Sequence, residues 1–259
     1  MTHDIKPIHS LYKMPKGHSS PHLIRFDDGN DYVVKFKKNP PGTRTLVNEY
    51  VAGKLAELLK LPVTPFRKVY ISQEFIDSYP SLSSKFSSGI QFASLYLEDT
   101  IYLPKNMELD EEIKIRNCEQ LAGVIAFDYW VGNVDRNRKN LLLKRLNQSD
   151  YQFYMIDHGH CFNQANWTVD TFQELPIMSS SWRKAHKIYM SLLQKKEGIF
   201  TYVKRINEVP LSSIQRIIHS IPDDWEVSEK EKQALIDYLV ASRERLNNFR
   251  FFQDWMDNP

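Results

Sequence analysis

Phe127-Asp128-Tyr129-Trp130-Val131-Gly132-Asn133-Val134-Asp135-Arg136-Asn137-Arg138-Lys139-Asn140-Leu141-Leu142-Leu143, followed by Ile156-Asp157-His158-Gly159, is the stretch that decides how this chain is read. An apolar helical run from Ile113 to Val131, opened by the acidic residues Asp110, Glu111 and Glu112, ends at Gly132. A polar loop comes next, beginning with the carboxylate of Asp135 and closing with the amide of Asn140. Leu141 to Leu143 and Tyr151 to Ile156 then read as two strands joined by the turn Asn147-Gln148-Ser149-Asp150. Asp157 stands at the end of the second strand, two residues before a glycine.

These residue types suit phosphoryl transfer. That reaction asks for a cation near the phosphates, metal ligands of hard oxygen and a carboxylate to orient the attacking hydroxyl. An Asp-x-x-x-x-Asn pattern alone arises by chance about once in a chain this long. Its weight comes from context: a helix before it, a hairpin after it, then Asp-x-Gly at a strand end. A carboxylate so placed suits Mg²⁺, which takes few protein ligands and shares the phosphates.

The run Phe127 to Arg136, continued to Asn140-Leu141-Leu142, resembles the catalytic loop of HipA-like kinases, relatives of the phosphatidylinositol kinases. Ile156-Asp157-His158-Gly159-His160-Cys161-Phe162 resembles their metal-binding segment, in place of the Asp-Phe-Gly of eukaryotic protein kinases. The resemblance takes in Tyr32 to Val63 and, loosely, Ile221 to Leu246. It implies that Asp135 is the catalytic base, that Asn140 and Asp157 are metal ligands, and that ATP and Mg²⁺ are the cofactors. The implied fold is α+β, protein-kinase-like and two-lobed, with a small β-rich lobe over 1–97 and a larger helical lobe over 98–259. The nucleotide would lie between them, its adenine along Phe92 to Glu98. The family is associated with serine or threonine phosphorylation of proteins, and its wider kin act on lipids and small molecules. A nucleotide-binding scaffold that transfers nothing is the non-enzyme alternative, against which the presence of both Asp135 and Asp157 weighs. The resemblance also implies a separately encoded regulatory partner.

In the first third of the chain, Tyr32-Val33-Val34-Lys35-Phe36 places a lysine inside an apolar strand, a costly position unless the charge is paired or faces a ligand. Lys35 is the candidate for the triphosphate, with Glu49 as its expected carboxylate partner. Both retain a plainer reading. Lys35 can be a solvated edge residue beside Lys37 and Lys38, and Glu49 lies opposite the apolar stripe of Val47, Val51, Leu55, Leu58 and Leu59. That helix is capped by Thr43 or Thr45 and ended by Pro62. Gly17-His18-Ser19-Ser20-Pro21 occupies the place of a phosphate-covering loop, yet carries one glycine where such loops carry three. Gly17, Ser19 and Ser20 are candidates for phosphate contact, the serines also for self-phosphorylation by the family resemblance; a surface turn fits them equally well.

Leu23 to Phe26 and Tyr32 to Phe36 read as a hairpin, Phe66 to Ile76 and Ile90 to Tyr102 as strands around a serine-rich loop at Ser78 to Ser88, and everything after about Ser180 as helix broken at Pro210 and Pro222. Composition bounds the rest. With 259 residues, 42% apolar and 25% charged, the chain is an ordinary globular protein, and a net charge of +2 gives no global field for nucleic acid or membrane. The densest basic stretch, Arg183 to Arg205, reads as a solvated helical face before it reads as a docking site for an acidic partner or nucleic acid. Two cysteines make no disulfide framework, the first ten residues hold no apolar signal core, and the run Leu121 to Phe127 is too short to span a bilayer, so a cytoplasmic protein is expected. His158, His160 and Cys161 lack a second Cys/His pair at motif spacing, which argues against zinc. Asp128 and Trp130 are expected to support the loop and not to catalyse.

Overall fold

The computed structural model describes residues 5–15, 17–104, 113–174 and 179–247. Its first sheet is antiparallel with order β1-β2-β3-β5-β4, built from β1 (Pro7–Lys13), β2 (His22–Phe26), β3 (Asp31–Lys35), β4 (Phe66–Ile71) and β5 (Gly89–Leu95). The expected hairpin is β2-β3, with Leu23 opposite Val33 and Ile24 opposite Tyr32. Period-2 alternation along β3 sends Tyr32 and Val34 into a core with Ile24, Phe26 and Phe36, and Val33 and Lys35 to the opposite face.

Between β3 and β4 runs α1 (Arg44–Leu58). Its hydrophobic pattern shows one apolar stripe, but Thr45 through Gly53 are all buried. The helix is enclosed between the first sheet and the helical part of the protein, so its polar side is covered as well. Neither threonine caps it by side chain: Thr43 occupies the cap position in helical conformation without a cap bond, and Thr45 lies in the first turn. The preceding turn supplies the acceptors instead, Gly42 O to Thr45 N at 3.2 Å and Thr43 O to Leu46 N at 2.9 Å. The helix closes before Pro62, where Lys60 takes a left-handed φ of 55° and Leu61 N donates to Ala56 O at 3.0 Å.

Two expected strands are shorter than their apolar runs. The Phe66 to Ile76 run stops at Ile71 because Ser72 caps a helical turn, α2 (Gln73–Asp77), by accepting from Phe75 N at 3.2 Å; α3 (Pro80–Ser83) comes after it within the serine-rich segment. The Ile90 to Tyr102 run divides after Leu95, and β6 (Thr100–Tyr102) joins a second sheet of order β6-β8-β9-β7, with β7 (Lys114–Ile115), β8 (Leu141–Arg145) and β9 (Asp150–Met155). The helix expected from Ile113 therefore starts later, as α4 (Leu121–Trp130). Lys114 and Ile115 pair in parallel with Asp150 and Tyr151, and Arg116 N donates to Tyr151 O at 2.8 Å, which a helix there would forbid. The acidic helix start at Asp110, Glu111 and Glu112 falls outside the described residues.

Beyond the second sheet come α5 (Ser180–Leu192), α6 (Gly198–Glu208), α7 (Leu211–His219) and α8 (Glu229–Asn247); Pro210 opens α7 and Pro222 opens a short 3₁₀ turn. α4 is the central helix, buried from Leu121 to Asp128. Gly123 lets α6 approach it: a Cβ there would stand 2.5 Å from the Tyr202 ring. The chain after α7 reaches back to the first sheet, where Asp224 pairs with Lys37 and Trp225 Nε1 donates to Ile90 O at 2.7 Å. Arg183, Lys184, Lys187, Lys195, Lys196, Lys204 and Arg205 are all exposed, while Trp182, Ala185, His186 and Tyr189 fill the inner face of α5. Among the described residues no helix is long and apolar enough to cross a membrane.

Candidate active site

A cleft of about 670 Å³ separates the two sheets, within the usual range of ligand pockets. Lys35, Glu49, Asp135, Asn140, Asp157, Gly17 and Ser19 all line it, although they come from two stretches, 17–49 and 135–157, far apart in sequence. Ser20 alone among the expected site residues does not.

At its centre the Lys35 ammonium contacts a Glu49 carboxylate oxygen and Asp157 Oδ1, the latter at 2.7 Å. The side chains of Lys35 and Glu49 are only 11% and 3% exposed, so neither is the solvated surface residue that its sequence position also allowed. Burial opposes the charge on Lys35, but Asp157 and Glu49 outweigh it and hold the ammonium above its ordinary range. Burial likewise raises the Glu49 carboxyl, yet the Lys35 charge prevails and depresses it. Its other oxygen accepts from the backbone N of His158 at 3.1 Å, which ties α1 to the chain beyond β9.

Asp157 has a left-handed φ of 58°, a conformation aspartate tolerates better than most residues. Ile156 N bonds Asn140 O at 3.1 Å on one side of it and His158 N is held by Glu49 on the other. The carboxylate remains 41% exposed toward the cleft. Asn48, the neighbour of Glu49, anchors the chain from Gly159 to Trp167: its Nδ2 lies within 2.8 to 3.1 Å of the carbonyls of Gly159, Cys161 and Gln164, and its Oδ1 accepts from Trp167 Nε1 at 2.6 Å.

The polar loop is organised by Arg136. Its guanidinium is fully buried and forms two bonds to Asp128, Nε to Oδ2 and Nη2 to Oδ1, both 2.9 Å. Nη1 donates to Asn140 O at 3.2 Å and Ile156 O at 3.1 Å. One side chain thus joins the central helix, the loop and the end of β9. His186 from α5 places Nε2 3.1 Å from Asp128 Oδ2, and Asn133 Nδ2 donates to Oδ1 at 2.9 Å. Trp130 packs fully buried with Nε1 donating to Leu239 O at 3.0 Å. Asp128 therefore supports the loop through Arg136, Trp130 packs against α8, and neither lines the cleft.

Held this way, Asp135 presents a partly buried carboxyl whose pKa burial raises, His160 lowers in part, and the nearby Asp157 raises again. Its backbone O accepts from Asn137 Nδ2 at 3.1 Å and Asn140 Nδ2 at 3.2 Å. That bond engages the nitrogen of Asn140 and leaves Oδ1 as the atom that could meet a metal. Asn140 and Asp157 offer an open pair of hard oxygens, the kind of site Mg²⁺ shares with phosphate; among the described residues no three His, Cys, Asp or Glu side chains form a closed cage. An apolar slot made by Val33, Phe92, Leu142 and Met155 continues the cleft away from the charges, beside the Phe92 to Leu97 segment.

Over the charged end lies the 17–21 turn between β1 and β2, with Gly17 at φ 116° and Ser20 N bonded to Gly17 O at 3.1 Å. Ser19 is 5% exposed and borders the cleft. Ser20, at φ 51°, instead points its carbonyl to His22 Nδ1, which donates at 3.0 Å. Sequence reasoning alone does not find Arg136, Asn48 or His186. Arg136 stands next to the expected base, but its eight-residue link to Asp128 obeys no local periodicity, and His186 meets the loop only through the packing of α5 on α4.

Residues 8–256 match the family described as HipA-like kinase. No curated protein matches the chain. Among solved structures, the Helicobacter pylori proinflammatory kinase CtkA is similar with TM-score 0.59 and 15% identity over 91% of this chain and 94% of that one. The Golgi casein kinase gives TM-score 0.54 and 12% identity over 94% of this chain and 74% of that one. HipA of Shewanella oneidensis MR-1, in its toxin–antitoxin complex with HipB and operator DNA, gives TM-score 0.51 and 13% identity over 96% and 74%. At these identities the likeness shows a shared kinase fold.

Proposed function

The chain belongs to the HipA-like kinases, and on that premise we propose that it transfers the γ-phosphoryl group of ATP, with Mg²⁺, to serine or threonine hydroxyls of a protein. The observation that carries this reading is the Lys35 ammonium set between Glu49 and Asp157 in the same cleft as Asp135. Residues 1–97 act as the smaller lobe and 98–259 as the larger, with adenine in the apolar slot. Lys35 engages the α- and β-phosphates, positioned by Glu49; Gly17 and Ser19 cover them. Asn140 and Asp157 would hold the metal, which neutralises charge on the β- and γ-oxygens when bound. The acceptor oxygen attacks the γ-phosphorus, the bond to the β–γ bridging oxygen breaks with its electron pair leaving on ADP, and the hydroxyl proton passes to Asp135.

The Golgi casein kinase, which is also known with Mn/ADP bound, supports nucleotide, divalent metal and a protein acceptor. HipA in complex with HipB supports a separate regulatory partner. Phosphoamino-acid analysis of protein labelled in a lysate by this kinase and γ-labelled ATP should yield phosphoserine or phosphothreonine. Label confined to lipid or small molecules would reverse the acceptor assignment.

Lys35→Met should weaken ATP binding by about 10- to 100-fold, as expected for loss of a charge-assisted bond of roughly 1.5–3 kcal/mol, and adenosine by less than about twofold. Fluorescence titration with the two ligands checks this. A comparable loss for adenosine would mean damage to the sheet and not a lost phosphate contact.

A further inference from the structure

The loop from Asp135 to Asn140 carries three cations, and the structure gives them different employment. Arg136 is buried and spent on Asp128 and two carbonyls. Arg138 is partly buried and tied to Leu103 O at 3.0 Å. Lys139 is exposed and lines the cleft with Asp135, Asn137 and Asn140. Among the described residues nothing engages its ammonium, although its backbone is fixed by Lys139 N donating to Asn137 Oδ1 at 2.9 Å.

Charge balance in the cleft gives that free ammonium a task. Glu49, Asp135 and Asp157 bring three carboxylates, and Lys35, the other lysine lining the cleft, is already shared between two of them. The shared ammonium and one divalent metal offset only those three carboxylates and leave the negative charge of an entering triphosphate itself unbalanced, at a cost greater in a half-enclosed cleft than in water. Lys139 lies between the expected base and the expected metal ligand in sequence, and all three line the cleft.

We propose that Lys139 is a second phosphate-binding cation of this site, contacting the non-bridging oxygens of the γ-phosphoryl group as it moves from ADP to the acceptor. The proposal rests on the kinase reading above. It assigns Lys35 to the α- and β-phosphates and Lys139 to the γ-phosphate alone, so the two lysines differ in what they distinguish. A lysine suits the role as a compact point charge on a flexible stem able to follow the group.

The test compares Lys139→Met and Lys139→Arg with the wild type for ATP and ADP affinity, and for ADP formation from Mg-ATP with water as acceptor. Lys139→Met should leave ADP affinity within about twofold, weaken ATP by about 5- to 20-fold and slow γ-phosphate release by about 10²- to 10³-fold. Lys139→Arg should restore most of both. Because Lys139 is exposed, circular dichroism should show an unchanged fold. Wild-type protein that binds no ATP overturns the kinase reading and this assignment with it. Wild-type protein that binds ATP while Lys139→Met retains the wild-type ATP-to-ADP preference and rate, as a merely solvated lysine would, overturns this assignment alone. Equal loss of ATP and ADP also overturns it, since that places the charge at the β-phosphate.

Discussion

Asp157→Asn should cost the protein its magnesium-supported ATP binding and its activity together, whereas Asp135→Asn should cost the activity alone. The two carboxylates share one cleft but not one environment. On the proposed reading Asp157, paired with Lys35 and exposed toward the cleft, is a metal ligand, so its change to an amide takes away a charged oxygen and loosens the Lys35 ammonium. ATP affinity in magnesium should fall by about 10- to 100-fold. Asp135 touches neither Lys35 nor Glu49, and on the same reading its partly buried carboxyl takes the acceptor's proton. Its amide replacement should slow transfer by about 10²- to 10⁴-fold with nucleotide affinity nearly unchanged. Calorimetry on both variants with and without magnesium separates the roles, and an equal loss of ATP binding in the two would sink the distinction.

Asp128→Ala should produce the largest loss of stability of any single carboxylate substitution in the loop region. Both members of the Asp128–Arg136 pair are fully buried. Such a pair is not by itself proof of net stabilisation, since desolvation offsets much of its attraction. Removing one member is another matter, because it strands the other's charge; the expected cost is about 3–5 kcal/mol. For a chain of this size that lowers the midpoint of thermal unfolding by roughly 6–20 °C. Asp128→Asn, which keeps one acceptor oxygen, should lose less. Melting of Asp128→Ala within about 1 °C of wild type would contradict the role given to the pair. The same contact has a pH signature. Burial opposes the Asp128 charge, but Arg136 prevails and brings its pKa down to about 2 from the ordinary 3.8. A folded-state value below the unfolded one means that this stabilisation is complete above about pH 4 and is lost as pH falls toward 2.

The kinase fold is legible in the sequence because its signals are local. The Asp135 to Asn140 loop, the hairpin of β8 and β9 and the apolar strand around Lys35 are each contained in one short continuous stretch, and Asp157 comes two residues after the hairpin. The features that escape the sequence depend on long-range burial. Glu49 sits on the side of α1 that the hydrophobic pattern assigns to water, and only the enclosure of that helix between sheet and helical bundle makes it a buried partner. The start of α4 lies later than the periodicity places it because Lys114 and Ile115 satisfy a helical period equally well and are claimed by β9 instead. Ser19 and Ser20 are equivalent in sequence and separate only through the left-handed backbone at Ser20.

The most direct test is to incubate the purified protein and Asp135→Asn with Mg-ATP carrying label on the γ-phosphate or, separately, on the α-phosphate, in the presence of a cell lysate, and to trace the label. The account predicts that γ-label enters protein hydroxyls with the wild type, that α-label does not, and that Asp135→Asn transfers neither while still binding ATP. Wild-type protein that binds Mg-ATP yet moves no γ-label, or an Asp135→Asn variant that moves it as fast, would contradict it.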